Sequence, residues 1–212
     1  MSKKSIKYVN LNKQWKFEKK ILLKIIDQTI SNDDWVNGNE VDKFEKNILK
    51  QTNSKYAVAL NSGTDALTLA LHLIGVKKGD KVITPPNSFI SSTSVIVHIG
   101  AKPVFADVCE DQNINPEKIE SCITKKTKAI MPVHLTGRIS NMDKIIRIAN
   151  KYSLPIIEDS AQACGAEFKN NKAGSFGNCG VFSFYPTKNL ACYGDGGAIV
   201  TNDQNVYEKL NL

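Results

Sequence analysis

Hydrophobic positions along the chain alternate between a helical spacing and short strand-like runs. Apolar side chains recur at roughly helical spacing over residues 14–30, which predicts an amphipathic helix, and a second helix is predicted over 39–52, after the break at Asn37-Gly38. From residue 56 onward, short apolar runs predict strands. Those runs are residues 56–60, 81–84, 103–108, 129–134, 156–159, 180–184 and 198–201.

Helical segments separate these strands. The first, over residues 64–73, is apolar nearly all round and ends near Gly75, as a buried helix would. The others are predicted over residues 88–99, 116–123 and 142–152. Strands and helices that alternate in this way indicate an α/β domain with a mostly parallel central sheet flanked by helices. Ligands of such domains bind beyond the carboxyl ends of the strands, so candidate site residues directly follow a strand.

The sequence ends abruptly. Residues 201–203 resemble a helix start, yet the chain stops at Leu212 without a closing signal, so we expect a C-terminal truncation. In this interpretation residues 1–36 form an N-terminal helical segment. Residues 37–212 form the α/β domain, incomplete at its C-terminus.

Charge and composition narrow the class of protein. The 212 residues include 28 lysines and arginines against 21 acidic residues, a net charge of +7. The excess would favour an anionic partner, but no nucleic-acid-binding motif accompanies it, so a solvated helix face explains it better. No apolar run approaches the roughly 18 residues of a membrane span, and the basic N-terminus lacks the apolar segment of a secretory signal. We therefore expect a cytoplasmic protein with no membrane or nucleic-acid partner.

Five cysteines and three histidines are scattered along the chain. The cysteine count is odd and no C-x-x-C pair occurs, which favours reduced thiols over a disulfide framework or a zinc ribbon. The histidines form no H-E-x-x-H motif, and we expect no metal site.

The first segment with candidate chemistry is NSGTDAL, at residues 61–67, between a strand and the buried helix. Gly63 would let the backbone approach a ligand closely, and the amides of residues 64–66 would be free first-turn donors for a phosphate group. The alternative is an ordinary helix start capped by Ser62 or Thr64.

The second segment is the end of the strand over 156–159, where an apolar run closes on Glu158 and Asp159. A carboxylate at the end of a buried strand is unfavourable unless it is paired or hydrogen-bonded. A cationic ring nitrogen would be a suitable partner, since a pyridinium needs such an acid to remain protonated. The alternative is a helix cap formed by Asp159 or Ser160.

The third segment is FSFYPTK, at residues 182–188, followed by the glycine-rich stretch 193–198. A lysine just past a strand can reach into the crevice at the sheet edge, and a lowered pKa would make its amine a nucleophile. Most lysines are surface charges, and only the neighbouring segments distinguish Lys188. The glycines allow a tight turn, but they form neither a dinucleotide fingerprint nor a P-loop.

The ordered set of motifs resembles the DegT/DnrJ/EryC1/StrS family of pyridoxal-phosphate (PLP)-dependent nucleotide-sugar aminotransferases. The resemblance extends from about residue 33 to residue 203. The motifs that carry it are SGTDALTLAL, GAKPVFADV, HLTGR, IIEDSAQACGA, GSFGNCGVFSFYPTKNL and GDGGAIVTND.

The resemblance implies roles for individual residues. Lys188 would hold the cofactor covalently, and Asp159 would pair with its pyridine nitrogen. Gln162 would pack against the ring and its 3′-oxygen, and Phe89 would stack on the ring, unless Phe89 is simply a core residue. His134 matches a family position near the site, without a catalytic role. The residues implied for the phosphate cradle are Gly63, Thr64, Asp65 and Ser183.

The resemblance also implies the fold and the reaction. The fold would be the large PLP-binding domain of the aspartate-aminotransferase class (fold type I), without its small C-terminal domain. An amino acid, typically L-glutamate, would donate its amino group to a keto sugar linked to a nucleotide diphosphate, in surface-polysaccharide or amino-sugar biosynthesis. Lys188 would act as the general base and acid. Family members that instead remove a hydroxyl group have histidine at this position. A homodimer with shared active sites is expected.

Two alternatives stay open at this point. One is a truncated PLP-binding fragment that catalyses nothing. The other is a different enzyme of fold type I, such as a lyase or a desulfurase, for which Cys192 is the nearest candidate nucleophile.

Overall fold

Seven helices and nine strands make up the part of the chain that the structure, a computed structural model, describes: residues 6–32 and 35–211. The helices are α1 (Leu11–Ser31), α2 (Asn39–Thr52), α3 (Gly63–Leu73), α4 (Ile90–His98), α5 (Pro116–Cys122), α6 (Met142–Lys151) and α7 (Gln204–Leu210). The strands are β1 (Tyr56–Leu60), β2 (Lys81–Thr84), β3 (Lys102–Phe105), β4 (Thr127–Ile130), β5 (Ile157–Asp159), β6 (Glu167–Phe168), β7 (Asn171–Lys172), β8 (Cys179–Ser183) and β9 (Gly197–Thr201).

The longer strands form two sheets, with the orders β1-β9-β8-β5 and β3-β2-β4. Strand β2 is parallel to β3 and β4, and β5 is parallel to β8, whereas both antiparallel pairs in these two sheets involve β9. Isolated parallel bridges, Ile130 to Ile156 and Val133 to Asp159, connect the β4 segment to β5. The predicted α/β class with parallel strands is confirmed. The antiparallel placement of β9 is a feature that the sequence patterns did not indicate.

Two predicted strands end three or four residues earlier than expected. The strand predicted over 103–108 ends at Phe105, because the side chain of Asp107 accepts a hydrogen bond from the amide of Val108 at 2.8 Å. Such a local contact competes with strand pairing. The strand predicted over 129–134 ends at Ile130, shortly before Pro132, which has no amide to donate.

The β6–β7 hairpin was not predicted. Its turn residues, Lys169 and Asn170, have φ angles of 49° and 65°. Two consecutive residues of positive φ suit the right-handed twist of a tight hairpin, but Lys-Asn is not a favoured pair for such a turn. Strands of two residues also carry no readable alternation, so the sequence offered no signal.

The hydrophobic core lies on both faces of the sheet, because neighbouring strand residues point to opposite sides. Val82 and Ile157 pack in a cluster with residues of α3 and α4. Ile83 and Ile156 pack in a second cluster with residues of α5 and α6. Each fully buried aliphatic side chain in these clusters contributes about 1.5–3 kcal/mol of transfer free energy.

Helix α3 begins shortly after β1 and buries one face, with Ala66, Leu67, Ala70 and Leu71 in the core, whereas Leu69 and His72 are exposed. The Ser62 hydroxyl accepts a hydrogen bond from the Asp65 amide at the start of the helix, and Gly75 follows its end with a φ of 79°. The predicted helix and its C-terminal glycine are therefore confirmed, but the helix is buried on one face only, and its N-terminus is held at the edge of the sheet.

The chain divides into two compact units, residues 1–44 and 45–212, with the boundary inside α2. In the first unit α1 has the predicted amphipathic pattern, and none of its residues is buried. The second unit contains both sheets and all the candidate site residues. Among the described residues, no helix is long and apolar enough to cross a membrane.

A substitution at Gly180 tests how closely strand β8 approaches the turn that precedes it. An added Cβ at Gly180 would lie 2.2 Å from the carbonyl oxygen of Gly174, so backbone would have to move. We expect Gly180→Ala to lower the free energy of unfolding by about 3 kcal/mol, measured by urea unfolding. The control is Gly79→Ala, where φ is +88° and nothing lies near the added Cβ. Backbone strain alone should lower stability there by only about 1 kcal/mol, and equal losses would contradict the prediction.

Candidate active site

Asp159 is the last residue of β5 and is only 5% exposed. Its Oδ2 accepts a hydrogen bond from the Ser92 hydroxyl at 2.7 Å, and its Oδ1 accepts one from the Ala161 amide at 3.2 Å. Burial raises the pKa of this carboxyl above its usual range, against the lowering effects of both hydrogen bonds and of the nearby His134 and Lys188. The alternative of a helix cap is wrong, because a turn and not a helix follows Asp159.

Glu158 points to the opposite side of β5 and is completely buried. Its Oε1 accepts hydrogen bonds from the amides of Phe176 and Gly177, at 2.6 and 2.7 Å. Its Oε2 accepts from the Gly174 amide at 2.9 Å and lies 3.2 Å from His134 Nε2. The carboxylate is therefore fully satisfied, and it attaches the turn before β8 to the end of β5.

His134 is the fourth partner of Glu158 and is also completely buried. Its Nδ1 accepts a hydrogen bond from the Ser140 amide at 3.2 Å, so Nε2 carries the proton that is donated to Glu158. The His134 amide donates to the Asp159 carbonyl oxygen at 3.0 Å. His134 thus supports β5 from the neighbouring segment.

The phosphate-cradle candidates Gly63 and Ser183 are in close contact. A Cβ added at Gly63 would lie 2.6 Å from the Cβ of Ser183, at the end of β8. Gly197, at the start of β9, is equally close to α3, since its added Cβ would lie 2.3 Å from the Ser62 carbonyl oxygen. Glycine at both positions lets the helix start lie directly against the two strand ends.

Two of the three backbone amides that were expected to be free phosphate donors at the start of α3 are already hydrogen-bonded. The Asp65 amide donates to the Ser62 hydroxyl and the Ala66 amide to the Ser62 carbonyl, so these two are not free donors. Ser62 is therefore the cap, as one alternative held. No described hydrogen bond uses the amides of Gly63 and Thr64, which leaves them as the available pair. The Thr64 hydroxyl contacts the Ser91 hydroxyl at 2.9 Å.

Lys188 lies in the turn that follows β8 and is half-buried. Its amide donates to the Tyr185 carbonyl at 2.8 Å, and its Nζ donates to Gln162 Oε1 at 3.2 Å. Gln162 itself follows β5 closely, three residues after Asp159. The structure therefore brings together the ends of β5 and β8 and their predicted residues Asp159, Gln162, Ser183 and Lys188.

Phe89 directly precedes α4 and is 68% exposed. The alternative that it is a core residue is wrong.

Asp65 is held at the helix start, because its carboxylate accepts a hydrogen bond from Ser62 at 3.0 Å. Its side chain is occupied within α3, while its amide is occupied by the cap.

Cys192 lies within the turn after Lys188. Its thiol donates to the Phe184 carbonyl at 3.0 Å, and burial raises its pKa above the usual range. A nucleophilic cysteine needs a lowered pKa, so this environment is unlike that of a desulfurase nucleophile. All five cysteines are free thiols.

Sequence reasoning missed Ser92 and the network around Glu158. Ser92 lies in a helix with serine and threonine at several neighbouring positions, so nothing in the sequence distinguished its hydroxyl. Glu158 was noted only as a neighbour of Asp159. Strand alternation separates the two side chains, but the amides that bind Glu158 come from a turn 16 to 19 residues away.

Comparison with known proteins identifies the family. The model of the DegT/DnrJ/EryC1/StrS aminotransferase family matches residues 17–212, and the chain belongs to this family. It is 41% identical over 176 residues to dTDP-3-amino-3,4,6-trideoxy-alpha-D-glucose transaminase of Streptomyces venezuelae, covering 82% of this chain and 46% of that protein.

Solved structures agree with this assignment. A DegT DnrJ EryC1 StrS aminotransferase from Brucella abortus superposes with a TM-score of 0.93 at 35% identity, covering 98% of this chain and 58% of that one. NtdA from Bacillus subtilis, solved with the bound cofactor PMP, superposes with a TM-score of 0.86 at 34% identity, covering 91% and 43%. The family depends on PLP, and the fold is that of its fold type I aminotransferases. The chain spans about half the length of the curated relatives it matches.

The residues present fit PLP. Asp159 is a buried carboxylate whose described hydrogen-bond partners are a hydroxyl and an amide, and a pyridinium would supply the missing opposite charge. The contact of Gly63 with Ser183 leaves a cradle of backbone and hydroxyl groups that any larger residue at position 63 would fill. No group of three or more histidine, cysteine or acidic side chains suited to a metal ion occurs among the described residues.

Glu158→Gln tests the buried network behind Asp159. The substitution turns one acceptor oxygen into an amide donor that faces other donors, so we expect a loss of about 3 kcal/mol in the free energy of unfolding. Urea unfolding measures it. The control is Glu167→Gln at an exposed ion pair with Lys172, where the loss should stay below about 1 kcal/mol. A loss at Glu158 no larger than that of the control would disprove the network's role.

Asp159→Asn tests the effect of burial on that carboxyl through pH. The folded-state pKa lies above the ordinary value of 3.8, so between the two values the folded chain holds a proton that the unfolded chain has released. The wild-type free energy of unfolding should therefore fall as the pH rises through this range. In the ligand-free variant this contribution disappears, so the variant should gain stability relative to wild type as the pH rises. Parallel unfolding curves at every pH would contradict the prediction.

Proposed function

We propose that the chain provides the cofactor-binding part of a PLP-dependent aminotransferase. The proposed reaction moves an amino group from an amino acid, for which we propose the family's usual donor L-glutamate, to a keto sugar linked to a nucleotide diphosphate. The observation that carries the proposal is the meeting of Asp159, Lys188 and the Gly63–Ser183 cradle at one edge of the sheet.

Each of these groups has a distinct task in the proposal. Lys188 would hold the cofactor through its amine and would serve as general base and acid. Asp159 would keep the ring nitrogen protonated, while Gln162 and Phe89 would contact the ring. Gly63, Thr64 and Ser183 would bind the phosphate, together with the backbone at Asp65 at the start of α3. When bound, PLP supplies an electron sink for the bond that breaks.

The lysine at position 188 favours transfer of an amino group over removal of a hydroxyl group from the sugar. A lysine amine can both attach the cofactor and return a proton, and the Lys188 Nζ contacts only the neutral amide of Gln162 among its described hydrogen-bond partners. The names of relatives support a nucleotide-linked substrate, since the similar Streptomyces venezuelae protein is a transaminase named for a dTDP-sugar.

The assembly and location of the protein are part of the same proposal. We assign PLP binding to residues 37–212, because α2 contributes buried Ile48 and Thr52. Of the preceding segment 1–36, the structure describes the helix α1, and residues 1–5, 33 and 34 lie outside the described residues. A homodimer with shared active sites would cover exposed residues such as Phe89. The cytoplasm, where the free cysteine thiols stay reduced, is the proposed compartment.

Lys188→Ala tests the proposal directly. The purified chain should form a coloured adduct with added PLP that borohydride traps covalently, and L-glutamate should bleach the colour before trapping. The variant should lose the trapped adduct completely, because Lys188 is the only lysine of the described residues that acts on the Asp159 carboxyl, while its urea-unfolding midpoint stays within error of wild type. Mass spectrometry of the reduced protein measures the adduct.

Lys169→Ala is the matched control, since Lys169 forms an exposed ion pair with Asp143. It should trap PLP as wild type does. A trapped adduct in the Lys188 variant would overturn the assignment. A wild-type adduct that is indifferent to L-glutamate would favour the second candidate, a PLP-binding fragment without turnover, which the coverage of only about half of the relatives supports.

A further inference from the structure

Two serine hydroxyls connect the segment that carries Phe89 to the buried carboxylate of Asp159. Ser92, in the first turn of α4, is 1% exposed, and its hydroxyl donates to Asp159 Oδ2 at 2.7 Å. The hydroxyl of Ser88 is in hydrogen-bond contact with that of Ser92. The two serines therefore lie on either side of Phe89 along the chain and continue inward to Asp159.

The number of available protons determines which hydroxyl donates in the contact between Ser88 and Ser92. A serine hydroxyl has one proton, and that of Ser92 is used in the bond to Asp159. The contact with Ser88, at 2.5 Å, then requires Ser88 to donate and Ser92 to accept, and this takes the Ser88 proton away from its longer contact with the Phe89 carbonyl oxygen at 3.3 Å. Both protons are thus directed toward the carboxylate, an arrangement that stabilises its ionised form.

The other groups around Asp159 do not duplicate this contact. The Ala161 amide binds the second oxygen, Oδ1, and the titratable groups that act on the carboxyl are His134 and Lys188. His134 Nε2 is directed at Glu158, and Lys188 Nζ at Gln162. Ser92 is therefore the side chain that holds Oδ2 in place.

We propose that Ser92, supported by Ser88, is a positioning residue that keeps Asp159 ionised and oriented toward the cofactor's ring nitrogen. This inference rests on the proposed function for its final step, the pairing with the ring. Its first step, the hold on the carboxylate, is a property of the ligand-free chain. The same short segment would then set both contacts to the ring, stacking through Phe89 and nitrogen pairing through Asp159.

The decisive experiment follows the Asp159 carboxyl by ¹³C NMR titration of the ligand-free full chain, with Asp159→Asn used to assign the signal. Ser92→Ala should raise the pKa of Asp159 further above that of wild type, since a hydrogen bond to the charged form is lost. Ser92→Thr keeps the hydroxyl and should restore the wild-type titration. Ser94→Ala, on the same helix with its hydroxyl directed at the Ser91 carbonyl, is the matched control and should leave the titration unchanged.

Binding of PLP is the second readout. Ser92→Ala should weaken PLP binding by about tenfold, a typical effect of one hydrogen bond to a charged group, and Ser92→Thr should recover it. If wild type binds no PLP, the proposed function fails, while the carboxyl titration still decides the role of Ser92.

Two results would overturn the proposal: an Asp159 titration in Ser92→Ala that matches wild type, or an equal change in Ser94→Ala, which would indicate a general disturbance of α4. If Ser92→Ala does not fold, Ser88→Ala replaces it, because Ser88 is only partly buried. That variant should raise the pKa of Asp159 in the same direction by a smaller amount, and an unchanged titration would equally reject the proposal.

Discussion

Two adjacent carboxylates, Glu158 and Asp159, are buried at the end of β5, where a carboxylate is unfavourable unless hydrogen bonds or an opposite charge compensate it. Because side chains alternate along a strand, the two carboxylates point to opposite faces of the sheet, and they have different hydrogen-bond partners. Glu158 is satisfied by three backbone amides and by His134. Asp159 has a hydroxyl and an amide, and its pKa stays raised by burial. The first carboxylate stabilises the fold, and the second remains available for a cationic ligand.

Close backbone contacts around this strand end determine where a phosphate group could lie. Gly63 and Gly197 have no side chain, so the start of α3 lies directly against the ends of β8 and β9. A side chain at either position would clash with the atoms that face it, so the helix would have to move away from the strands. The candidate site is therefore built from tightly packed main chain, and the side chains of Lys188 and Gln162 contact each other from the loops after β8 and β5.

The antiparallel strand β9 explains how these loops are arranged. It lies between β1 and β8, so the chain leaves β8 at the site, makes the turn with Lys188 and Cys192, and returns in the opposite direction. Its first residue, Gly197, consequently lies at the same sheet edge as Ser183, with which it pairs. This return is what places the glycine-rich stretch beside α3 and not at the far end of the sheet.

Local patterns in the sequence determined most helices and strands, the α/β class and the family, because hydrophobic spacing and motif order are properties of neighbouring residues. They also indicated Asp159 and Lys188 as the chemical centre. They could not indicate Ser92, which lies 67 residues from Asp159, or the amides that bind Glu158. They likewise gave no sign that the cap would occupy the Asp65 and Ala66 amides. Hydrogen-bond partners that are far apart in the chain are brought together by packing across the sheet. The role of a particular hydroxyl or amide is therefore decided only when the fold places it next to a buried charge.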